Sequence, residues 1–344
     1  MRTALSAAFI ALLMITAGCH QVTEYQGSDS ASLYLISSED FQVQGTADGF
    51  AGGTKLLSSG NGKLVLLSTD GTLYRIDLET LETDTSFTIG GGSGTGYGDA
   101  VIASNGNLYV LGPGSQVIEV DLGSNSVVDN FTPGSQPGAL AANPAESRIY
   151  FTDSADDYIG EIWTISNHTG FTSNTYCPLA DIIVEPTGGR HIVAAGSNDS
   201  GSLYTIWLDL SNSARLMQVS AGSPASAIIP MTEDSVYAIA CPVWSGSSGY
   251  VVLEQGYVEP DPDAEVEIPV EGHPVALAFN RFAGYAGYLC ILSRLDSGSS
   301  GVTVIGFHFS HTDPVVEQFI PLEGFARDIV VPGNGEYIVV LTSD

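Results

Sequence analysis

The chain is poor in positive charge and shows no sustained helical periodicity. Only 10 of its 344 residues are lysine or arginine, against 39 aspartate and glutamate residues, so the formal net charge is −29. Lysine occurs only as Lys55 and Lys63. A surface with this balance repels the phosphate backbone of nucleic acids, which excludes nucleic acid as a partner. Hydrophobic residues still make up 44% of the sequence, which indicates a folded core rather than a disordered chain.

Cysteine is scarce too, and the common catalytic motifs are missing. Besides Cys19, the chain has Cys177, Cys241 and Cys290, which allow at most one disulfide. Cys241 and Cys290 fall in strongly apolar strand patterns, which favours buried thiols. The sequence contains no Gly-x-Ser-x-Gly elbow, Walker loop, His-Glu-x-x-His or Cys-x-x-Cys. We therefore assign no catalytic residue.

The N-terminal segment has the features of an export signal. Residues 4–17 are apolar apart from Ser6 and Thr16, and this run is shorter than the roughly 20 residues that span a bilayer. It ends in Thr-Ala-Gly-Cys at residues 16–19, which resembles the lipobox of bacterial lipoproteins. We expect residues 1–18 to be a signal peptide and residues 19–31 to be a linker anchored in the membrane by acyl chains (palmitate) on Cys19. The alternative is an ordinary secretory signal followed by an incidental cysteine.

The fold is predicted by a strand that repeats along the chain as the second strand of each four-strand unit. It is short and apolar, it follows a turn, and it precedes a third strand that often ends in Ile-Asp or Val-Asp. Its second residue recurs about every 41 to 53 positions, at Leu64, Leu108, Ile149, Ile192, Val236, Leu289 and Ile338. This period is typical of β-propeller blades, which have four strands each.

The two ends of the chain supply the remaining blade. After Phe325 only two strands are expected, over residues 326–332 and 337–342, and the mature N-terminus opens with two more near residues 33–36 and 41–44. Two and two make one blade, and such a composite blade closes a propeller ring and removes its exposed sheet edges. The sequence therefore predicts an all-β fold, with residues 32–344 forming one seven-bladed β-propeller.

Residues 136–153, Gln-Pro-Gly-Ala-Leu-Ala-Ala-Asn-Pro-Ala-Glu-Ser-Arg-Ile-Tyr-Phe-Thr-Asp, resemble the YVTN-type β-propeller repeat. Fragments of the same pattern recur at residues 222–224 and 272–278, and residues 127–131 match the fourth strand of that repeat. The resemblance is specific around residues 107–153 and extends over most of the mature chain as a pattern of strands. It implies a surface or periplasmic binding scaffold and supplies no catalytic set.

A candidate site follows from aligning the blades. The residue that opens the innermost strand of each blade faces the central channel of a propeller, and the alignment places there Lys55, Asp99, Gly138, Asp181, Ser226, Val275 and Asp328. With Arg327 beside the last of them, the polar members predict a ligand site at the channel mouth. Asp99, Asp181 and Asp328 form a candidate site for a hard cation such as Ca²⁺. The alternative is that these carboxylates close turns or are solvated.

The leading function is a non-catalytic scaffold that binds a protein, a small molecule or a glycan. We expect a monomer at the outer membrane or cell surface, with the periplasmic face as an alternative. Two other functions stay open: an outer-membrane assembly factor, although that lipoprotein propeller has eight blades, and a metal-dependent hydrolase or lactonase with a cation held by the aspartates. We expect Trp163, Trp207 and Trp244 to pack between blades, and an exposed Trp244 would suit stacking on a sugar.

Overall fold

The fold is built from β-strands alone in the part of the chain that is described. The computed structural model describes residues 30–90, 96–166, 168–185, 189–197, 202–211, 214–220, 225–231, 236–241, 249–255, 266–281, 287–307, 314–333 and 335–344. Cys19 and Trp244 lie outside these residues. Within these ranges, no helix is long and apolar enough to cross a membrane.

The strands form seven four-stranded antiparallel sheets. The chain opens with β1 (Ser30–Ser37) and β2 (Val43–Ala51). Blade one contains β3 (Gly53–Gly60), β4 (Lys63–Ser68), β5 (Thr72–Asp77) and β6 (Thr83–Thr88). Blade two contains β7 (Ala100–Ile102), β8 (Leu108–Gly112), β9 (Gln116–Asp121) and β10 (Ser126–Phe131). Blade three contains β11 (Pro137–Ala142), β12 (Arg148–Asp153), β13 (Tyr158–Trp163) and β14 (His168–Asn174).

The second half of the ring has the same plan. Blade four contains β15 (Leu179–Val184), β16 (His191–Ser197), β17 (Leu203–Asp209) and β18 (Ala214–Ser220). Blade five contains β19 (Ala227–Pro230), β20 (Val236–Cys241), β21 (Tyr250–Gln255) and β22 (Val266–Pro269). Blade six contains β23 (His273–Arg281), β24 (Gly287–Arg294), β25 (Ser300–Phe307) and β26 (Val315–Leu322). The chain ends with β27 (Phe325–Val330) and β28 (Tyr337–Ser343).

Blade seven joins the two ends of the chain, as the sequence predicted. Its strand order is β2-β1-β28-β27, and β1 pairs with β28 in an unbroken antiparallel register in which Leu33 faces Leu341. The seven-bladed propeller and its closure by terminal strands are therefore confirmed.

Alternating side chains along each strand fill the spaces between neighbouring blades. In β4, Leu64 and Leu66 pack toward blade seven, whereas Val65 and Leu67 pack toward blade two. Successive side chains of a strand point to opposite faces of its sheet, so one apolar strand supplies two interfaces. Seven buried clusters result among the described residues, one for each pair of adjacent blades.

The cysteines and tryptophans follow this packing with one exception. Cys241 and Cys290 are buried, and burial raises the pKa of the Cys290 thiol to about 12, so this thiol is protonated at neutral pH. Trp207 is buried between blades four and five. The expectation for Trp163 was wrong: it is the last residue of β13, it is exposed, and its ring stacks against the Arg148 guanidinium at 4.8 Å.

Candidate functional site

The innermost strands share a distortion that directs polar side chains toward one another. The pairing register between first and second strands shifts just before Lys55, Asp181 and Asp328. Each shift is a β-bulge, in which one extra residue bends the strand and changes the direction of the next side chain. Asp99 and Ser226 lie immediately before β7 and β19 in the same phase. The polar positions predicted from the blade alignment therefore sit at equivalent places in the ring.

Lys55 is the centre of a charged network formed by three blades. Its Nζ lies 3.0 Å from Oδ1 of Asp99 in blade two and 3.8 Å from Oδ2 of Asp328 in blade seven. The charges of Asp328 and Asp99, in that order, raise the pKa of Lys55 well above its usual value, so the ammonium stays charged at any physiological pH. Lys55 thus neutralises carboxylates from blades on both sides of its own.

Each of the three aspartates also connects its own blade to the next through the backbone. In each case a carboxylate oxygen accepts a hydrogen bond from an amide in the innermost strand of the following blade. The donors are Leu140 for Asp99 at 2.8 Å, Ile228 for Asp181 at 2.9 Å, and Leu56 for Asp328 at 2.8 Å. The side chains that the sequence predicted as ligands therefore form hydrogen bonds between neighbouring blades.

The second oxygen of each carboxylate is engaged as well. Oδ1 of Asp181 accepts from the amide of Ile182 at 2.8 Å, and Oδ1 of Asp328 accepts from the amide of Ile329 at 3.0 Å. Oδ1 of Asp99 is the atom that contacts Lys55. Each carboxylate oxygen therefore already accepts from an amide or contacts the Lys55 ammonium.

The acidity of two of these carboxyls is weakened by their setting. Burial, with a smaller contribution from the charge of Asp99, raises the pKa of Asp181 to about 7, although Lys55 and the amides oppose this. Burial also raises the pKa of Asp328. Near neutral pH, the charged and the protonated forms of Asp181 are therefore both populated.

The geometry does not itself reveal a metal centre. In the described ranges, no three aspartate, glutamate, histidine or cysteine side chains form a group able to hold a metal ion. A cation bound between Asp99 and Asp328 would compete with the Lys55 ammonium, which contacts both carboxylates. Calcium at these residues stays a prediction, as does a ligand at the channel mouth.

Ser226 and Arg327 have contacts of their own. The hydroxyl of Ser226 donates to the carbonyl oxygen of Pro274 at 3.1 Å, which is a further link between blades five and six. Arg327 is the bulged residue of β27, and its Nε donates to Oγ of Ser343 at 2.8 Å. Burial and the nearby charge of Arg294 lower the pKa of Arg327 from its usual value.

The sequence contains a signal for these hydrogen bonds between blades, which the blade alignment alone did not reveal. Each of the three aspartates is followed by three apolar residues: Asp99 by Ala-Val-Ile, Asp181 by Ile-Ile-Val and Asp328 by Ile-Val-Val. An acidic residue directly before a buried strand is more consistent with a satisfied structural carboxylate than with an open ligand.

Sequence comparison finds no match, whereas comparison of structures finds proteins with a similar fold. No family model matches the chain, and no curated protein matches it in sequence. Hydrazine synthase from Kuenenia stuttgartiensis superposes with a TM-score of 0.70 at 14% identity, over 85% of this chain and 96% of that one.

Two further structures have similar statistics. U3-55K gives a TM-score of 0.64 at 13% identity, over 85% of this chain and 95% of that one. The WD40 repeats of RRP9 give 0.63 at 14% identity, over 85% and 94% respectively. At such low identity the likeness concerns the fold alone. By its own strand order and by these WD40-like neighbours, the chain is a seven-bladed β-propeller.

Proposed function

We propose that this protein is a non-catalytic binding scaffold of the YVTN type, anchored by lipid on Cys19 at the bacterial cell envelope. The observation that carries the scaffold role is that the carboxylates of Asp99, Asp181 and Asp328 bond to backbone amides of the following blades, two of them also contacting Lys55. These groups stabilise the ring and leave binding to the surfaces around it. The lipobox-like residues 16–19 support the anchor.

Lipid attachment is tested by metabolic labelling. We expect radiolabelled palmitate to be incorporated when the full chain is expressed in a bacterium, and the product to enter the detergent phase on partition. Cys19→Ala should abolish both effects, while Cys177→Ala should change neither. Unlabelled wild-type protein that stays in the aqueous phase would contradict the anchor.

The absence of metal-dependent chemistry is tested by metal content and thermal stability. A scaffold whose aspartates bond to amides should purify without a stoichiometric divalent ion, and Ca²⁺ should leave its melting temperature unchanged. Asp99→Asn serves as the comparison, because it removes a candidate ligand and keeps the side-chain shape. A tightly bound ion in the wild type that is lost in Asp99→Asn would overturn the proposal and favour the hydrolase or lactonase.

A further inference from the structure

Trp163 is an exposed tryptophan at one end of blade three. It is the last residue of β13, and 37% of its surface is accessible to solvent. Tryptophan is a highly buried residue type on average, and Trp207 in blade four follows this rule with an exposure of 2%. Ile165, in the turn that follows β13, is 77% exposed. Two large apolar side chains are thus left in water at this end of the blade.

Trp163 lies on the face of blade three that is turned toward blade four. Side chains alternate along a strand, so Trp163 shares a face with Ile159, which packs in the buried cluster between these two blades. The other exposed ring of the sheet, Phe171, contacts Tyr158 on the face turned toward blade two. Trp163 and Phe171 therefore lie on opposite faces and form no common surface.

The side chains around Trp163 hold its ring in one orientation. The Arg148 guanidinium carbon lies over the ring, 4.8 Å from its centroid, and the indole Nε1 donates to Oε1 of Glu161 at 3.0 Å. Arg148 is itself fixed, since its Nη1 lies 3.2 Å from Oε2 of Glu161 and its Nε lies 3.2 Å from Oε2 of Glu146. One face of the ring is therefore covered by Arg148, and the opposite face is left for a ligand.

Gly170 leaves room for this arrangement. It pairs with Glu161 across β13 and β14, and a Cβ at this position would lie 2.8 Å from Oε1 of Glu161. That oxygen is the one that accepts the indole hydrogen of Trp163. A side chain at residue 170 would therefore require the carboxylate to move away from the ring it orients.

The size and chemistry of this surface favour a sugar over a protein. A stable protein interface buries about 800 Å² on each partner, whereas Trp163 and Ile165 are the exposed large apolar side chains at this end of blade three among the described residues. One face of a pyranose ring presents C–H groups that match the electron-rich face of an aromatic ring. Its hydroxyls require hydrogen-bonding groups beside that ring, and the half-exposed Glu146 and partly exposed Arg148 supply them.

We propose that Trp163 is the stacking platform of a carbohydrate-binding site, with Glu146 and Arg148 as hydrogen-bonding partners of the sugar hydroxyls. This inference rests on the proposed scaffold role and names the chemistry of one ligand. The open ring face recognises the apolar side of a pyranose, and the two charged groups at its edge recognise the polar rim. Because the contacts to Arg148 and Glu161 already fix the ring, little side-chain freedom is lost when a sugar binds.

Calorimetric titration of the purified full-length protein tests the site, in a detergent without a sugar headgroup. The probes are cellotetraose, maltotetraose and tetra-N-acetylchitotetraose. We expect saturable binding of at least one probe and a blue shift of the tryptophan fluorescence, because a stacked sugar removes the Trp163 ring from water. Trp163→Ala should weaken binding by about tenfold or more and abolish the shift.

Phe171→Ala is the matched control, since it removes an exposed aromatic ring from the opposite face of the same blade and should bind like the wild type. Trp163→Phe keeps a stacking surface and loses the indole N–H, so it should bind with intermediate strength. Circular dichroism and melting temperature without sugar establish that each variant is folded.

Two results would overturn the proposal. Absence of saturable binding of all three probes would leave this surface to a protein partner. Equal binding by folded Trp163→Ala and Phe171→Ala would place the sugar elsewhere on the ring. Either result leaves the palmitate and metal tests of the scaffold role unaffected.

Discussion

Lys55 compensates carboxylates contributed by two other blades, and this makes it unlike the second lysine of the chain. Lys63 lies at the start of β4, where its Nζ is 2.8 Å from Asp77 and 2.7 Å from Asp84 in the same blade. Both lysines thus bridge two acids. Only Lys55 joins separate blades and stands next to carboxyls with raised pKa values.

Replacing Lys55 with methionine should therefore destabilise the ring. Asp99 and Asp328 lose their countercharge, and we expect the free energy of unfolding to fall by about 2 kcal/mol at pH 8, below the cost of breaking a fully buried pair because the Lys55 side chain is 32% exposed. The loss should shrink at pH 5, where the carboxyls take up protons more readily. Urea denaturation measures it. Lys63→Met is the control, and an equal effect of both substitutions would contradict the central role of Lys55.

Asp181 gives the protein a pH dependence with a definite sign. Its pKa is about 7 in the folded state and near the ordinary 3.8 when unfolded, so between these values the folded state binds the proton more tightly. Its contribution to stability is therefore greatest at low pH and is lost as the pH rises toward 7. Each unit of pKa corresponds to about 1.4 kcal/mol before screening by solvent.

Asp181→Asn should remove this dependence, because the amide mimics the protonated acid. We expect the wild type to lose stability relative to the variant between pH 5 and pH 8, and the difference to level off above pH 8. Melting curves across this range provide the measurement. Parallel curves for the two proteins would show that Asp181 keeps an ordinary pKa in the ring.

Hydrogen bonds within the following turn end the third strands of blades one and two. The aspartate that closes the third strand accepts amide hydrogens from the turn that follows: Asp77 from Glu79 and Thr80, and Asp121 from Gly123. Such a side chain satisfies turn amides that would otherwise lack partners. The repeated Ile-Asp and Val-Asp endings are therefore turn signals between the third and fourth strands.

Glycine within a strand has a packing role at Gly160. It lies in β13 opposite Phe151 of β12, and a Cβ at this position would overlap the Phe151 ring. Gly160→Ala should cost about 1–3 kcal/mol, the range for overpacking a filled core. Thermal unfolding measures the cost. Gly98→Ala is the control, since a Cβ there makes only ordinary contact with Leu111; equal melting temperatures for both variants would refute the packing argument.

The ring as a whole depends on blade seven, because this sheet alone is made from both ends of the chain. β28 lies between β1 and β27, so it holds the N-terminal hairpin on the ring. Without it, the strand edges of β1 and β27 lose their partners and the clusters toward blades one and six are opened.

Deletion of residues 337–344 should therefore abolish cooperative unfolding and make the chain sensitive to protease. Deletion of residues 20–27, which is equally long and lies outside every described strand, should leave both properties unchanged. Limited proteolysis and differential scanning calorimetry compare the two. A cooperative transition that survives loss of β28 would mean that six blades are stable without closure.

The fold could be read from the sequence to a large extent, and the site only in part. The spacing of the second strands and the two half-blades at the ends led to seven blades, because alternation and turn chemistry act over a few residues. The blade alignment grouped Lys55 with Asp99 and Asp328, whose carboxylates it contacts, whereas a role of these residues in binding a ligand stays a prediction. It did not reveal the amides that bind these aspartates, since those amides belong to the following blade.

By itself the sequence determined the all-β class, the blade period and the closure, all of which follow from local patterns repeated along the chain. Only the tertiary structure decided what Asp99, Asp181 and Asp328 bind. Their amide donors are 41, 47 and 272 residues away along the chain for Asp99, Asp181 and Asp328. Whether a carboxylate meets an amide, an ammonium or open solvent depends on how the next blade is placed against it, and that placement is fixed by packing between blades rather than by neighbouring residues in the sequence.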